Sequence, residues 1–171
     1  MNGYQVELVP YDPQWPILAQ AEIENLRAVF GNVIHNIHHI GSTAVPGLSA
    51  KSTIDLLAEV DDLEDVVEVT SRLESIRYIS RGENGIPGRL FFVKSDTEEQ
   101  KRIAHLHCFK MGDPRIAQHL KFRDLLIAKP EIAREYEAVK QQCLTSSGGL
   151  STTYQECKSE WISSHTASQV G

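Results

Sequence analysis

No lysine- or arginine-rich run interrupts this sequence, and its formal net charge is −6. A protein that grips nucleic acid without sequence preference needs a basic face to displace counterions, so nucleic acid is not an expected partner. Small charged substrates stay open, because a local patch rather than the total charge governs them. No apolar run approaches the length of a bilayer span, and Met1-Asn2-Gly3-Tyr4 opens without an apolar leader. No membrane partner is expected, and the expected compartment is the cytoplasm. Cysteine is scarce: Cys108, Cys143 and Cys157 are odd in number and match no zinc spacing. They read as reduced, mostly buried thiols. Internal repeats and low-complexity segments are also missing, which excludes solenoids and arrays. What is present is a chain of 171 residues with 41% hydrophobic content, enough for one core and one domain spanning residues 1–171.

The most informative stretch runs from His39 to Leu57. Ile34, Ile37 and Ile40 mark a strand that ends at Gly41-Ser42. A loop with Pro46 and Gly47 follows. A second strand has Ile54, Leu56, Ala58 and Val60 alternating with Thr53, Asp55, Leu57 and Glu59. One face should pack on a helix while the other carries Asp55. A Gly-Ser turn beside a carboxylate offers free N–H groups for a phosphate and an acceptor for its metal ion.

Elsewhere Gln5 to Val9 alternates weakly and predicts a short edge strand. Asp12-Pro13 predicts a helix start, with Ala19, Ile23, Leu26 and Phe30 at helical spacing and Gly31-Asn32 as its stop. Asp61-Asp62 should cap a helix running to about Ile76, with Leu63, Val66, Val67, Thr70 and Leu73 inside. Arg77 to Ser80 and Arg89 to Lys94 read as strands around an irregular Arg81–Gly88 loop, and Asp96 to Gln100 as a hairpin turn. On the strand Ile103–Phe109, His105 and His107 share a face. Asp113-Pro114 and Lys129-Pro130 open two helices, the second with Ile132, Tyr136, Val139 and Cys143 inside. A last helix carries Tyr154, Cys157, Lys158 and Trp161 on one side, and the tail 163–171 should fray. The order of elements predicts an α+β fold with a mixed or antiparallel sheet flanked by helices.

His39-Ile-Gly-Ser-Thr-Ala-Val-Pro-Gly-Leu48, with Ala50-Lys51 and Ile54-Asp55, resembles the signature of the GrpB family. His105-Leu106-His107, Phe122-Arg123-Asp124-Leu125-Leu126, Pro130, Tyr136 and Tyr154-Gln-Glu-Cys-Lys158 strengthen the resemblance, which covers about Val9 to Ile162. The family is similar in fold to the nucleotidyltransferase superfamily, and it also occurs fused to dephospho-CoA kinases, where a folding-accessory role has been proposed. The resemblance thus implies a nucleotidyltransferase-like domain and a possible nucleotidyltransferase-type activity. In that superfamily a Gly-Ser turn precedes a strand with carboxylates at i and i+2. Gly41-Ser42 and Asp55 match, but Leu57 stands where the second carboxylate belongs. Glu59 is on the same face, yet four residues along a strand is about 13 Å, too far to share a metal pair.

Two functional classes follow. In the first, the protein binds a nucleotide or other small phosphorylated ligand, with or without turnover. Gly41, Ser42, Thr43, Lys51, Arg89 and Lys158 are the candidate phosphate contacts, and Arg123 is a further candidate cation. Asp55 and Ser42 are the candidate catalytic residues. Asp55, His105 and His107 would hold one divalent ion, Mg²⁺, Mn²⁺ or Zn²⁺, imidazole favouring the softer ions. In the second class the fold is kept for binding or folding assistance, with a protein partner and no turnover. Each residue also has a plain reading: Gly41-Ser42-Thr43 as a tight turn, Asp55 as a partly exposed carboxylate paired with Lys51 or an arginine, the histidines as half-exposed sheet residues, the cations as surface ion pairs. His39 belongs to the family motif, whereas His35 and His38 read as surface. The Arg81–Gly88 loop is either a lid or a surface loop.

Overall fold

The computed structural model describes residues 3–167. Five strands, β1 (Ile34–Ile40), β2 (Ile54–Val60), β3 (Tyr78–Ser80), β4 (Arg89–Ser95) and β5 (Arg102–Lys110), form one sheet in the order β1-β2-β5-β4-β3. The β2–β5 pair is parallel and the other pairs are antiparallel, so the sheet is mixed. The crossover between the parallel strands passes through α2 (Leu63–Glu68), α3 (Thr70–Ser75), β3 and β4.

Alternation along the strands sorts side chains onto two faces. Leu56, Ala58, Leu106, Cys108 and Phe92 point into the main core with Leu26 and Phe30 of α1 (Trp15–Phe30) and Leu73 of α3. The opposite face carries Asp55, His105 and His107, then Leu57 and Phe109. Leu57 is fully buried against Ile40, Phe109 and Ile116 of α4 (Pro114–Ala128). Helices α5 (Pro130–Ser146) and α6 (Ser151–Ala167) complete the layer on that side, with Tyr136 packed on Val45 and Leu48 and Tyr154 on Val6.

Several local expectations change. α1 begins at Trp15 rather than at Asp12-Pro13. The Asp12 carboxylate closes a turn on the Gln14 N–H at 2.9 Å, and the proline in the first helical turn is Pro16. The helix expected to run unbroken to Ile76 is two short helices that meet at Val69. Val69 lies in the core, 2% exposed, and Val67 is outside at 61%. Residues 5–9 form no strand, only single bridges from Gln5 to Leu150 and Val9 to Ala50. α6 continues past Ser163 to Ala167, held by the stacking of Trp161 on His165 and the bond from Thr166 Oγ1 to the Ile162 carbonyl; residues 168–171 of the expected frayed tail lie outside the described residues.

The cysteines are not all thiols. Cys143 of α5 and Cys157 of α6 are joined in a disulfide, and only Cys108 is free and buried. Sequence spacing could not show this pairing, because the packing of two separate helices brings the Cα atoms to 5.7 Å. Among the described residues, no helix is long and apolar enough to cross a membrane.

Candidate functional site

The β1–β2 turn approaches Asp55 at Gly41, whose φ of 75° and ψ of −172° are open essentially to glycine alone. A Cβ there would lie 2.9 Å from Asp55 Oδ2, so the missing side chain also makes room for the carboxylate. Ser42–Ala44 form a single 3₁₀ turn, closed by Ala44 N–H to the Gly41 carbonyl at 3.1 Å. Thr43 is buried, and its hydroxyl meets His39 Nε2 at 2.8 Å. His39 therefore braces the turn, and burial pushes its pKa down to about 4.

Parallel pairing sets Asp55 directly beside His105, and His107 follows one pleat along. Asp55 Oδ1 is 3.3 Å from His105 Nδ1 and 3.4 Å from His107 Nε2. Burial works against the carboxylate's charge, but the imidazole bonds outweigh it and hold its pKa well below the ordinary range. Burial lowers the pKa of His105, so that ring is neutral near pH 7. The expectation that Asp55 pairs with Lys51 is not met: Lys51 Nζ donates to Tyr4 Oη at 3.1 Å.

These groups line one wall of a cavity of about 910 Å³ between the sheet and α4–α6. Lys51, Lys140, Lys158, Arg89 and Arg102 all reach it, against the carboxylates of Asp55 and Glu156. Lys140 is 1% exposed and donates to Ser42 Oγ at 3.3 Å and to the Ser49 carbonyl; Glu137 lies 3.8 Å away. Burial lowers its pKa to about 8. Lys158 is 9% exposed, with its ammonium 4.7 Å from the Tyr154 ring centroid. Among the described residues it has no hydrogen bond or ion pair. Burial, then the charges of Lys51 and Lys140, bring its pKa to about 7.

The remaining expected cations differ. Arg89 is buried in the cavity wall, but it gives two bonds to the Glu83 carbonyl, one to that of Asn84 and one to His107 Nδ1. It thereby ties the Arg81–Gly88 loop to the sheet. Arg123 lies outside the cavity wall, on Asp124 and the His39 carbonyl. Sequence reasoning missed Lys140, Arg102, Tyr4 and His119, all of which line the cavity. For Lys140 a signal existed: it falls between Tyr136 and Cys143 on the buried stripe of α5, where an unpaired lysine is costly. For Arg102 and Tyr4 there was none, since tertiary packing alone stacks the guanidinium on the ring at 4.5 Å.

The family model described as GrpB protein matches residues 5–168. The UPF0157 protein YqkA of Bacillus subtilis is 40% identical over 158 residues, which are 92% of this chain and 45% of that protein. The chain thus spans about half the length of that relative. A dephospho-CoA kinase of Mycolicibacterium paratuberculosis is 29% identical over 92% of this chain and 44% of the kinase. Among solved structures, conserved protein GrpB from Enterococcus faecalis superposes with a TM-score of 0.80 at 29% identity, covering 93% of this chain and 99% of that one. Cid1 in complex with its short product ApU superposes with a TM-score of 0.57 at 14% identity over 86% of this chain and 48% of Cid1, a likeness of fold alone.

Proposed function

The chain belongs to the GrpB family and has a nucleotidyltransferase-like fold, and from that premise we propose that its cavity binds a nucleotide or another phosphorylated small molecule. One observation carries the reading. Lys158 is buried at the cavity wall beside Lys51 and Lys140; among the described residues it has no ion pair, and Asp55 offsets its charge only in part. A buried ammonium without a partner is expensive for folding, and a ligand phosphate removes that cost. Ser42, already bonded to Lys140, adds a hydroxyl donor at the turn. The Cid1 structures, one of them with a UTP analogue, support the nucleotide form of the reading at the level of fold.

A two-metal centre does not fit this wall. It would need a second carboxylate one pleat from Asp55, where Leu57 is sealed under α4. Among the described residues, no group of three His, Cys, Asp or Glu side chains is set to hold a metal ion. Turnover, in this proposal, rests on Asp55 accepting a proton or hydrogen bond from a ligand hydroxyl. Leu57 also supports a second reading, in which the ligand or a partner protein is bound without turnover. The match to part of a dephospho-CoA kinase is compatible with such an accessory role.

Calorimetry and thermal melts with ATP, UTP, inorganic pyrophosphate and adenosine test the proposal. Triphosphates and pyrophosphate should bind and raise Tm, and adenosine should not. Lys158→Met should abolish the effect. No response to any of the phosphates would refute the binding reading. If binding is seen, assay of pyrophosphate and phosphate release separates turnover from accessory binding.

A further inference from the structure

Asp55 is not merely near two histidines; each ring is gripped from its far side by an arginine. Arg89 Nη1 is 3.2 Å from His107 Nδ1, and His107 Nε2 is 3.4 Å from Asp55 Oδ1. Arg102 Nη1 is 3.4 Å from His105 Nε2, and His105 Nδ1 is 3.3 Å from the same carboxylate oxygen. A guanidinium has no lone pair and can only donate. The ring nitrogen facing it must therefore carry the lone pair, and the proton of a neutral ring goes to the other nitrogen.

We infer that Arg89 and Arg102 are positioning residues that set opposite tautomers on His107 and His105, so that both rings turn an N–H onto Asp55 Oδ1 and leave Oδ2 as the open acceptor beside Gly41. The two rings are then hydrogen-bond donors and not metal ligands. A metal ion placed among the three side chains would meet two N–H groups, because both lone pairs face guanidinium groups. Turning the rings over to ligate an ion would also take from Arg89, 6% exposed, one of its few partners. The Phe91 ring, with centroids 5.2 Å from His105 and 5.1 Å from His107, packs both imidazoles in place. Among the described residues Asp55 Oδ2 accepts no hydrogen bond, and its nearest structural constraint is the glycine turn. The arrangement concentrates the acceptor strength of a charged carboxylate on one oxygen beside Gly41, on a residue that lines the cavity. Its use on a ligand hydroxyl rests on the phosphate-binding reading above; the tautomers do not.

Long-range ¹H–¹⁵N correlation spectra of the full-length ¹⁵N-labelled protein, without ligand, report which nitrogen of each ring is protonated. The expected spectrum has His105 as the Nδ1–H form and His107 as the Nε2–H form, assigned with His105→Gln and His107→Gln. Arg89→Met should move His107 out of the Nε2–H form and leave His105 unchanged. Arg102→Met, at a half-buried site, should do the converse. Adding Zn²⁺ or Mn²⁺ at equimolar concentration should leave both rings where they were. The inference is overturned if the wild-type rings share one tautomer, if the arginine substitutions leave the tautomers untouched, or if an equimolar metal shifts both rings and Asp55→Asn abolishes that shift. Should Arg89→Met fail to fold, the wild-type spectrum and Arg102→Met still decide. Because no phosphate compound is used, failure of pyrophosphate to bind would leave this result standing.

Discussion

Replacing Lys158 by methionine removes a charge while keeping a stem of similar length against the Tyr154 ring. Lys158 is 9% exposed and its amine's pKa falls to about 7 from the usual 10.5, chiefly through burial. That displacement corresponds to at most about 5 kcal/mol against charging the amine in the folded state. Dielectric screening inside proteins is stronger than a dry interior would give, so an effect of about 2 kcal/mol is expected. The sign follows from proton binding. Between about pH 7 and pH 10.5 the unfolded chain holds a proton on Lys158 that the folded chain has released, so stability rises with pH across that window. Below about pH 7 the cost is present in full. Lys158→Met should therefore melt about 4–8 °C higher than wild type at pH 6, and the gap should close as pH rises toward 10. Pyrophosphate binding should show the opposite dependence. Wild-type affinity should weaken above pH 7, as the amine loses the proton that an anion requires, and the variant should bind at least tenfold more weakly at pH 6.5. Melting curves at several pH values, with calorimetry at pH 6.5 and 8.5, measure both. A variant that melts at or below wild type at pH 6, or a melting gap that does not change with pH, would refute the reasoning about the buried amine. Unchanged pyrophosphate affinity would refute its role in binding.

Leu57→Asp, which restores the superfamily's second carboxylate on paper, should not create a metal pair; it places an unpaired charge among Ile40, Phe109 and Ile116 and should cost about 3–5 kcal/mol. A stable variant with new Mg²⁺ affinity would contradict this. Gly41→Ala should cost about 1–3 kcal/mol from its backbone angles, and should also displace Asp55 and weaken pyrophosphate binding; an unaltered melt would show that the turn is not constrained as described. The Cys143–Cys157 bridge ties together the helices that carry Lys140 and Lys158, across a separation of 14 residues. Reduction, or the double change to serine, should remove about 3 kcal/mol by the loop-entropy argument. Free-thiol titration of the denatured, unreduced protein should find only Cys108 reactive; three reactive thiols per chain would refute the bridge.

Much of the fold was legible because local chemistry and tertiary need agree. Period-two alternation in Ile54–Val60 and in Ile103–Phe109 marks strands whose two faces meet different environments, and the structure keeps those faces. Asp55 stood out as a carboxylate inside an apolar strand, and its pairing beside His105 follows from the shared polar face. Less was legible where one element serves two demands. Val66, Val69 and Leu73 all reach the core, a spacing that one unbroken helix would also satisfy, so periodicity could not show the break at Val69.

Residue order by itself determined the five strands of the sheet, most of the helices, the glycine turn, and the Asp55, His105 and His107 face, because these depend on spacing along one chain. Tertiary structure decided what those side chains do. Leu57 closes a hydrophobic contact instead of joining a metal site, since α4 happens to cover that pleat. Cys143 and Cys157 are bonded because α5 and α6 pack side by side. Arg89 binds the Nδ1 side of His107 and Arg102 the Nε2 side of His105, and Lys140 meets Ser42 from a distant helix. A charge's partners and its solvation are properties of three-dimensional surroundings, so the same lysine or histidine is a surface group or a poised one according to what packs around it.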